Sequence, residues 1–292
     1  MIELYNSGLG LIAADDDGGP EFRSSLIEYI TPTTGTYYIK ARRFAGVRSH
    51  GYGYDLRITR NFPPVVTNPV ATIVNGQTLN NPSAGVYNVA VREVWTASDS
   101  PEGIASQQLQ LKLNAGAFAD VSPAVTSTQR SYTRRFVMND QFQYQVRATD
   151  TAGAYSQFMA SASRQVLGYA EGRTNWTYTG TWATVNNASA WQGRFKRTAG
   201  GTGTKATFTF FGNRAALVIM SAPNGGKADI FIDGVMKGTV DFYSPSPEFR
   251  KVVFVSGPLR FGSRTLEIRW RTDKNAASSG RNLFIDGVVT LK

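Results

Sequence analysis

From one end of this chain to the other, short runs alternating apolar and polar residues are closed by Gly, Asn, Asp or Pro. Alternation at a period of two turns one face of a strand to a core and the other to water, whereas an amphipathic helix repeats every ~3.6 residues. The runs are rich in Thr, Val, Tyr and Phe, which suit a pleated sheet. Helical periodicity is almost absent. An all-β chain is expected, built as tandem β-sandwich domains. No apolar stretch reaches the ~18 residues that suggest a membrane helix, so no membrane insertion is expected.

Residue usage removes several kinds of chemistry. The 292 residues include no cysteine, which excludes disulfides, thiol catalysis and zinc–thiolate sites. There is one histidine, His50, in the glycine-rich stretch "VRSHGYGYD". It reads as an exposed loop residue, although a Ser-His-Asp mechanism would have to use it. Multi-histidine metal sites are impossible. The opening "MIELYNSGLG" lacks a basic leader and an apolar core, so it reads as a strand and a turn and not as a signal peptide. A chain that opens directly on a strand is expected to be part of a longer one.

Two boundaries stand out. The proline pair in "RNFPPVVTNPV" reads as a short stiff linker, and the spacing of turns changes near "RQVLGYAEGRTNWTY". Three segments are expected: 1–63, 64–168 and 169–292. Residues 1–64 carry seven Lys/Arg against seven Asp/Glu, 65–168 seven against six, and 169–292 seventeen against eight. Nine of the ten excess positive charges therefore lie in the last segment. That concentration suggests an anionic partner, with a solvated soluble surface as the alternative.

The first segment reads as a meander. Its runs "IELYNSGLGLIAADDDGG", "IEYITPTTGTYYIKAR" and "GYDLRITR" resemble the C-terminal half of the bacterial pre-peptidase C-terminal domain, which trails many secreted proteases. The family's preceding strands are absent. The consecutive Asp15, Asp16 and Asp17 do not meet the alternating ligand pattern of an EF-hand loop. They read as a turn, because Asp-Gly is a strong turn former. A weak calcium site and a catalytic carboxylate pair are the alternatives. No other cofactor is expected.

In the second segment, "FQYQVRATDTAG" resembles the late-strand signature of fibronectin type III and bacterial immunoglobulin-like modules. Trp95 is expected in its core. Nothing there carries chemistry, so it reads as a spacer holding its neighbours apart.

The third segment contains "TKATFTFFG", "KADIFIDG", "RTLEIRWR" and "LFIDGVVTLK", with Asp233 and Gly234 as a hairpin turn. "SAPNGGKAD" and "TAGGTGTKA" do not meet the phosphate-loop pattern. With "WTYTGTW" and "NGGKADIFIDGVMKGTVDFYS", the segment resembles galactose-binding-like β-sandwiches at the ends of bacterial extracellular proteins. The resemblance implies a jelly roll whose ligand is held by loops at one end. Sugars stack C–H faces on aromatic rings and need directed polar groups for their hydroxyls. Trp191 follows a polar loop and is the candidate stacking residue. Arg194 and Lys196 follow it, with Tyr243, Asn224 and Lys227 in other loops. Trp176 and Trp182 lie in strand-like runs that core packing explains about as well as binding.

The expected function is a non-catalytic C-terminal accessory region of a secreted bacterial hydrolase, suggested by the resemblance to be a protease. It would bind polysaccharide or extracellular matrix, of anionic character, and no specific nucleic acid. The location would be secreted or cell-surface. The rivals are an adhesion array with no attached enzyme and a hydrolase using only carboxylates.

Overall fold

The computed structural model describes residues 1–20, 24–29, 31–32, 35–42, 55–58 and 61–292. It is all-β, and its strand pairings are antiparallel apart from two isolated parallel bridges. Among the described residues no helix is long and apolar enough to cross a membrane. The chain divides into two compact units, Met1–Phe62 and Pro63–Lys292.

The first unit holds a three-stranded sheet with Ile2–Tyr5 between Leu11–Asp15 and Tyr38–Ala41. Glu3 is buried on the central strand, where Arg42 (2.7 Å) and the Tyr5 hydroxyl (2.7 Å) pair its carboxylate. Among the described residues of this unit, Leu4 is the one buried apolar side chain.

The second unit contains two sandwiches. In the first, the sheet around Val86–Val94 faces a sheet carrying Ile104–Leu113 and Gln141–Asp150. "QFQYQVRATD" is buried at every second residue, so Phe142, Tyr144, Val146 and Ala148 enter the core. Trp95 is buried with them, and its Nε1 donates to Gln107 Oε1 at 2.8 Å. The other sandwich is jelly-roll-like. Its front sheet has five strands: Trp176–Thr179, Lys205–Gly212, Gly262–Trp270, Lys227–Ile232 and Val235–Asp241. Its back sheet includes Arg194–Thr198, Leu283–Leu291, Arg214–Ser221 and Glu248–Val255.

The middle segment does not hold the last one at a distance. Arg164–Ala170 pairs first with Gln141–Asp150 and then with Leu283–Leu291, so one sheet runs through both sandwiches. The boundary expected at 168/169 falls inside this strand. The back-sheet strands "RAALVIMS" and "LFIDGVVTL" are buried at every position. Leu217, Ile219 and Ile285 face the jelly-roll core, while Ala216, Val218, Val289 and Leu291 face the middle segment's core. A strand covered on both sides has no water-facing row, so alternation disappears from its sequence. The 75–79 turn strengthens the contact: Gly76 N donates to Val252 O (2.9 Å) and Val252 N to Gln77 O (2.8 Å).

Candidate functional site

The jelly-roll strands end in register. Thr179 pairs with Lys205, Lys205 with Arg269, Asp229 also with Arg269, and Lys227 with Asp241. In the back sheet, Thr198 pairs with Leu283 and Ser221 with Glu248. The connections 180–182, 199–204, 222–226, 242–247 and 271–282 therefore emerge at one end.

Three of these connections, 222–226, 242–247 and 271–282, are tied to one another by backbone. Ala222 bridges Tyr243 and Gly225 bridges Asn282, both in parallel sense. Gly226 N donates to Asn282 O at 2.8 Å, and Phe242 N to Gly226 O at 2.8 Å. The buried Ser278 hydroxyl lies within bonding distance of the Pro223, Gly225 and Gly280 carbonyls. Gly225 leaves no room for a Cβ, which would run into the Phe242 carbonyl. A loop end fastened in this way is a stiffer scaffold than loops usually provide.

Polar and aromatic groups are mounted on this frame. Asp241 accepts from Tyr243 N (2.9 Å) and Asn275 Nδ2 (2.9 Å). Arg271 bonds both oxygens of Asp229 (2.8 and 3.1 Å) and reaches Asp273 at 2.6 Å. That bond holds the Asp273 carboxyl below the usual carboxylate range. Trp270 Nε1 donates to Arg281 O at 2.9 Å, and Trp182 Nε1 to Thr179 O at 3.0 Å. Both indoles are half-buried. Tyr243 and Asn224 are also half-buried, and Lys227 lies 3.8 Å from Asp273. Several of the cations here already face carboxylates, so the excess charge is only partly available to a ligand.

Three of the six sugar-binding candidates thus meet at this end: Asn224, Lys227 and Tyr243. Trp191 does not. It is 2% exposed, in a 3-10 turn at the opposite end of the Arg194–Thr198 strand. Its ring lies over Gly168 and Gly287, where an added Cβ would come within 2.7 and 2.8 Å. A ring buried on both faces cannot stack on a sugar, so its expected role as a platform is corrected. The polar "NNASAWQGR" suggested exposure; the contrary signal was a glycine inside each of two strand runs, which marks close approach. Arg194 pairs with the buried Glu171 at 2.9 Å, also away from the loop end. Lys196 sits mid-strand, its Nζ on Thr184 Oγ1 (2.8 Å) and 5.5 Å from the Tyr178 ring centre. Trp182 and Trp270 take the aromatic place at the loop end. Only their position at strand ends could have marked them.

The aspartate stretch forms a turn. Asp15 closes its strand and its carboxylate accepts from Gly18 N (3.1 Å) and Leu26 N (2.7 Å). Carboxylate oxygens of Asp15, Asp16 and Asp17 lie within 4.8 Å of one another. The neighbouring Asp16 charge pushes the Asp17 carboxyl up. A tight calcium site needs six to eight oxygens, and two backbone amides already occupy Asp15. Calorimetric titration with calcium chloride is expected to show no micromolar binding. A micromolar Kd that disappears in Asp16→Ala would contradict this. His50 lies outside the described residues.

Burial also raises the Glu93, Glu171 and Asp286 carboxyls. It pushes both Glu93 and Asp286 up to about 7. Each sits in a packed interior, Glu93 at 1% exposure, where no substrate could reach it.

No family model matches the chain. Over 91 residues it is 30% identical to an A type blood N-acetyl-alpha-D-galactosamine deacetylase from Flavonifractor plautii. The match spans 31% of this chain and 12% of that protein. Similar solved structures include the carbohydrate-binding module CBM36 in complex with calcium and xylotriose, at TM-score 0.29 and 15% identity, covering 44% of this chain and 99% of that one. Another is a Paenibacillus xanthan lyase, at TM-score 0.35 and 17% identity, covering 71% and 21%. A third is a two-domain esterase active on acetylated mannans, at TM-score 0.33 and 14% identity with mannopentaose bound, covering 44% and 37%.

Proposed function

We propose that this chain is a non-catalytic, glycan-binding accessory region of a secreted or cell-surface carbohydrate-active protein. The loop end of the jelly roll is its binding site. One observation carries the reading: five connections converge on one end, three of them braced to one another by backbone, and that end bears half-buried indoles, a tyrosine and amides. Such an end offers C–H stacking and directed hydrogen bonds without the entropy of ordering a loop. The Flavonifractor plautii relative, an A type blood N-acetyl-alpha-D-galactosamine deacetylase, supports attachment to a carbohydrate-active enzyme and gives no support to a protease. Residues 1–63 read as the pre-peptidase C-terminal-like part and 64–168 as the immunoglobulin-like part. The net charge of the last segment favours glycans with acidic groups.

Affinity electrophoresis of the whole chain in gels containing soluble polysaccharides tests the reading. Retardation is expected in at least one gel, with Tyr243→Ala and Trp182→Ala each weakening it about tenfold, as a ~1.4 kcal/mol loss per contact implies. Folded variants migrating like the wild type in every gel would overturn the loop-end site. Retardation abolished by moderate salt would reduce it to surface charge alone.

A further inference from the structure

A second surface, on the middle segment, has a chemistry that a spacer does not need. In Ile104–Leu113 and Gln141–Asp150 the inward residues fill the core. Three consecutive outward pairs across the two strands are Lys112 with Gln143, Gln110 with Gln145, and Gln108 with Arg147. Four of these six side chains are glutamines. Exposed sheet faces are ordinarily kept soluble by mobile charges. Here the long neutral side chains are fastened to each other.

The bonds run across the sheet. Gln145 Nε2 donates to Gln110 Oε1 at 2.7 Å. Gln110 Nε2 and Gln108 Nε2 both donate to Asp120 Oδ1, at 3.0 and 2.8 Å. Arg147 Nε donates to Gln108 Oε1 at 2.8 Å, and Gln143 Nε2 to the Ser161 carbonyl at 2.8 Å. The guanidinium carbon of Arg147 lies 4.7 Å from the Phe158 ring centre and 5.5 Å from that of Tyr155. Tyr155 is 55% exposed.

Each amide has two N–H donors and a carbonyl with two acceptor sites. The bonds within the network leave part of that capacity open. Gln145 Oε1, Gln143 Oε1, Asp120 Oδ2 and the Arg147 Nη groups bond no other described residue. Strands lie about 4.8 Å apart, so Asp120, Gln110 and Gln145 form a row about 10 Å long, with the small Ala160 next to Gln145 at one end.

We infer that this face is a second glycan-binding site, for an extended, neutral, hydroxyl-rich polysaccharide chain. Hydroxyls both donate and accept, and ordered amides match them on both counts. The Asp120 and Arg147 charges offset one another, which suits a neutral ligand. Tyr155 supplies an open ring beside the row for the apolar face of a sugar. A protein partner would want an apolar centre, which these outward positions lack. A nucleic acid would want a cluster of cations, and Lys112 and Arg147 are too few. The face lies on a different sandwich from the loop end, and the inference does not rest on that site.

The whole chain run through gels containing galactan, xylan, galactomannan or mixed-linkage glucan provides the test. A loop-end double variant, Trp182→Ala with Tyr243→Ala, is the background. Residual retardation is expected in at least one gel. Gln145→Ala and Tyr155→Ala, each added to that background, should weaken it at least tenfold. Tyr155 is exposed and its hydroxyl donates no hydrogen bond to another described residue, so its removal leaves the fold intact; matching melting curves and near-ultraviolet spectra verify this. Retardation equal to background in both added variants overturns the inference, as does a background with no retardation in any gel. Retardation lost through the loop-end changes alone would sustain that site and refute this one. Binding that vanishes in about 0.5 M salt, where the screening length is only a few ångströms, would also refute it, because a neutral chain has no charge to screen.

Discussion

Trp191→Ala is expected to destabilise the Pro63–Lys292 unit by about 3–5 kcal/mol, the usual cost of emptying a large aromatic site. The ring occupies space that the sheet leaves open for it at Gly168 and Gly287. It also meets Tyr87, whose ring centre is 6.0 Å away on the middle segment's Val86–Val94 strand. Its backbone N–H donates to Asp286 Oδ1 at 2.9 Å, and the next residue's N–H to the Tyr87 hydroxyl at 3.1 Å. The void would therefore open at the junction of the two sandwiches. Urea unfolding checks the magnitude. A double-mutant cycle checks the cause: Gly168→Ala should be costly beside the intact ring and much less so when combined with Trp191→Ala. A loss below about 1 kcal/mol, well under that range, together with lost glycan binding, would restore the tryptophan as a surface platform.

The second large effect is a pH dependence centred on Glu93. Among the described residues, neither of its buried carboxylate oxygens has a hydrogen-bond partner, nor has the nearby Tyr144 hydroxyl. Burial raises its pKa to about 7, against the pull of Arg164 and Arg214. In the unfolded chain the group titrates near ~4.3. Between these values the folded state holds a proton that the unfolded state has lost. The stability is fully present below the unfolded pKa and is lost as pH rises towards 7. The slope is at most about 1.4 kcal/mol per pH unit for one such group. Asp286, also raised to about 7 by burial, adds a slope of the same sign. Asp120, Glu267 and Asp273 have lowered values, so their contributions are lost at the acid end. Unfolding free energies should thus be higher at about pH 5 than at about pH 8. Glu93→Gln should flatten the difference by stabilising the protein at the alkaline end, where the wild type buries an unpaired charge. An unchanged slope would mean that Glu93 is ionised, with partners, in the folded state.

What the sequence settled by itself was local. Alternation in "KADIFI" and "QFQYQVRATD" is read from residues two apart, and those strands form with the expected faces. Asp233 and Gly234 adopt φ of 49° and 78°, the paired left-handed conformation of a two-residue hairpin turn, and Ile232 pairs with Val235 across it. Asp15 makes its turn through an amide three residues away. What the tertiary structure decided depends on residues far apart in the chain. Trp191 is buried because Gly168, Gly287 and Tyr87 come together around it. The middle segment is fused to the jelly roll because two back-sheet strands, Arg214–Ser221 and Leu283–Leu291, are buried on both faces, and a mostly apolar run does not name its second cover. The loop end exists because five connections terminate in register. The glutamine face exists because Gln108, Gln110, Gln145 and Asp120 are brought side by side from three strands. Periodicity and turn chemistry act over a few residues and can be read in order along the chain. Burial and convergence are set by which strands pair, and that pairing is carried by no single stretch of the sequence.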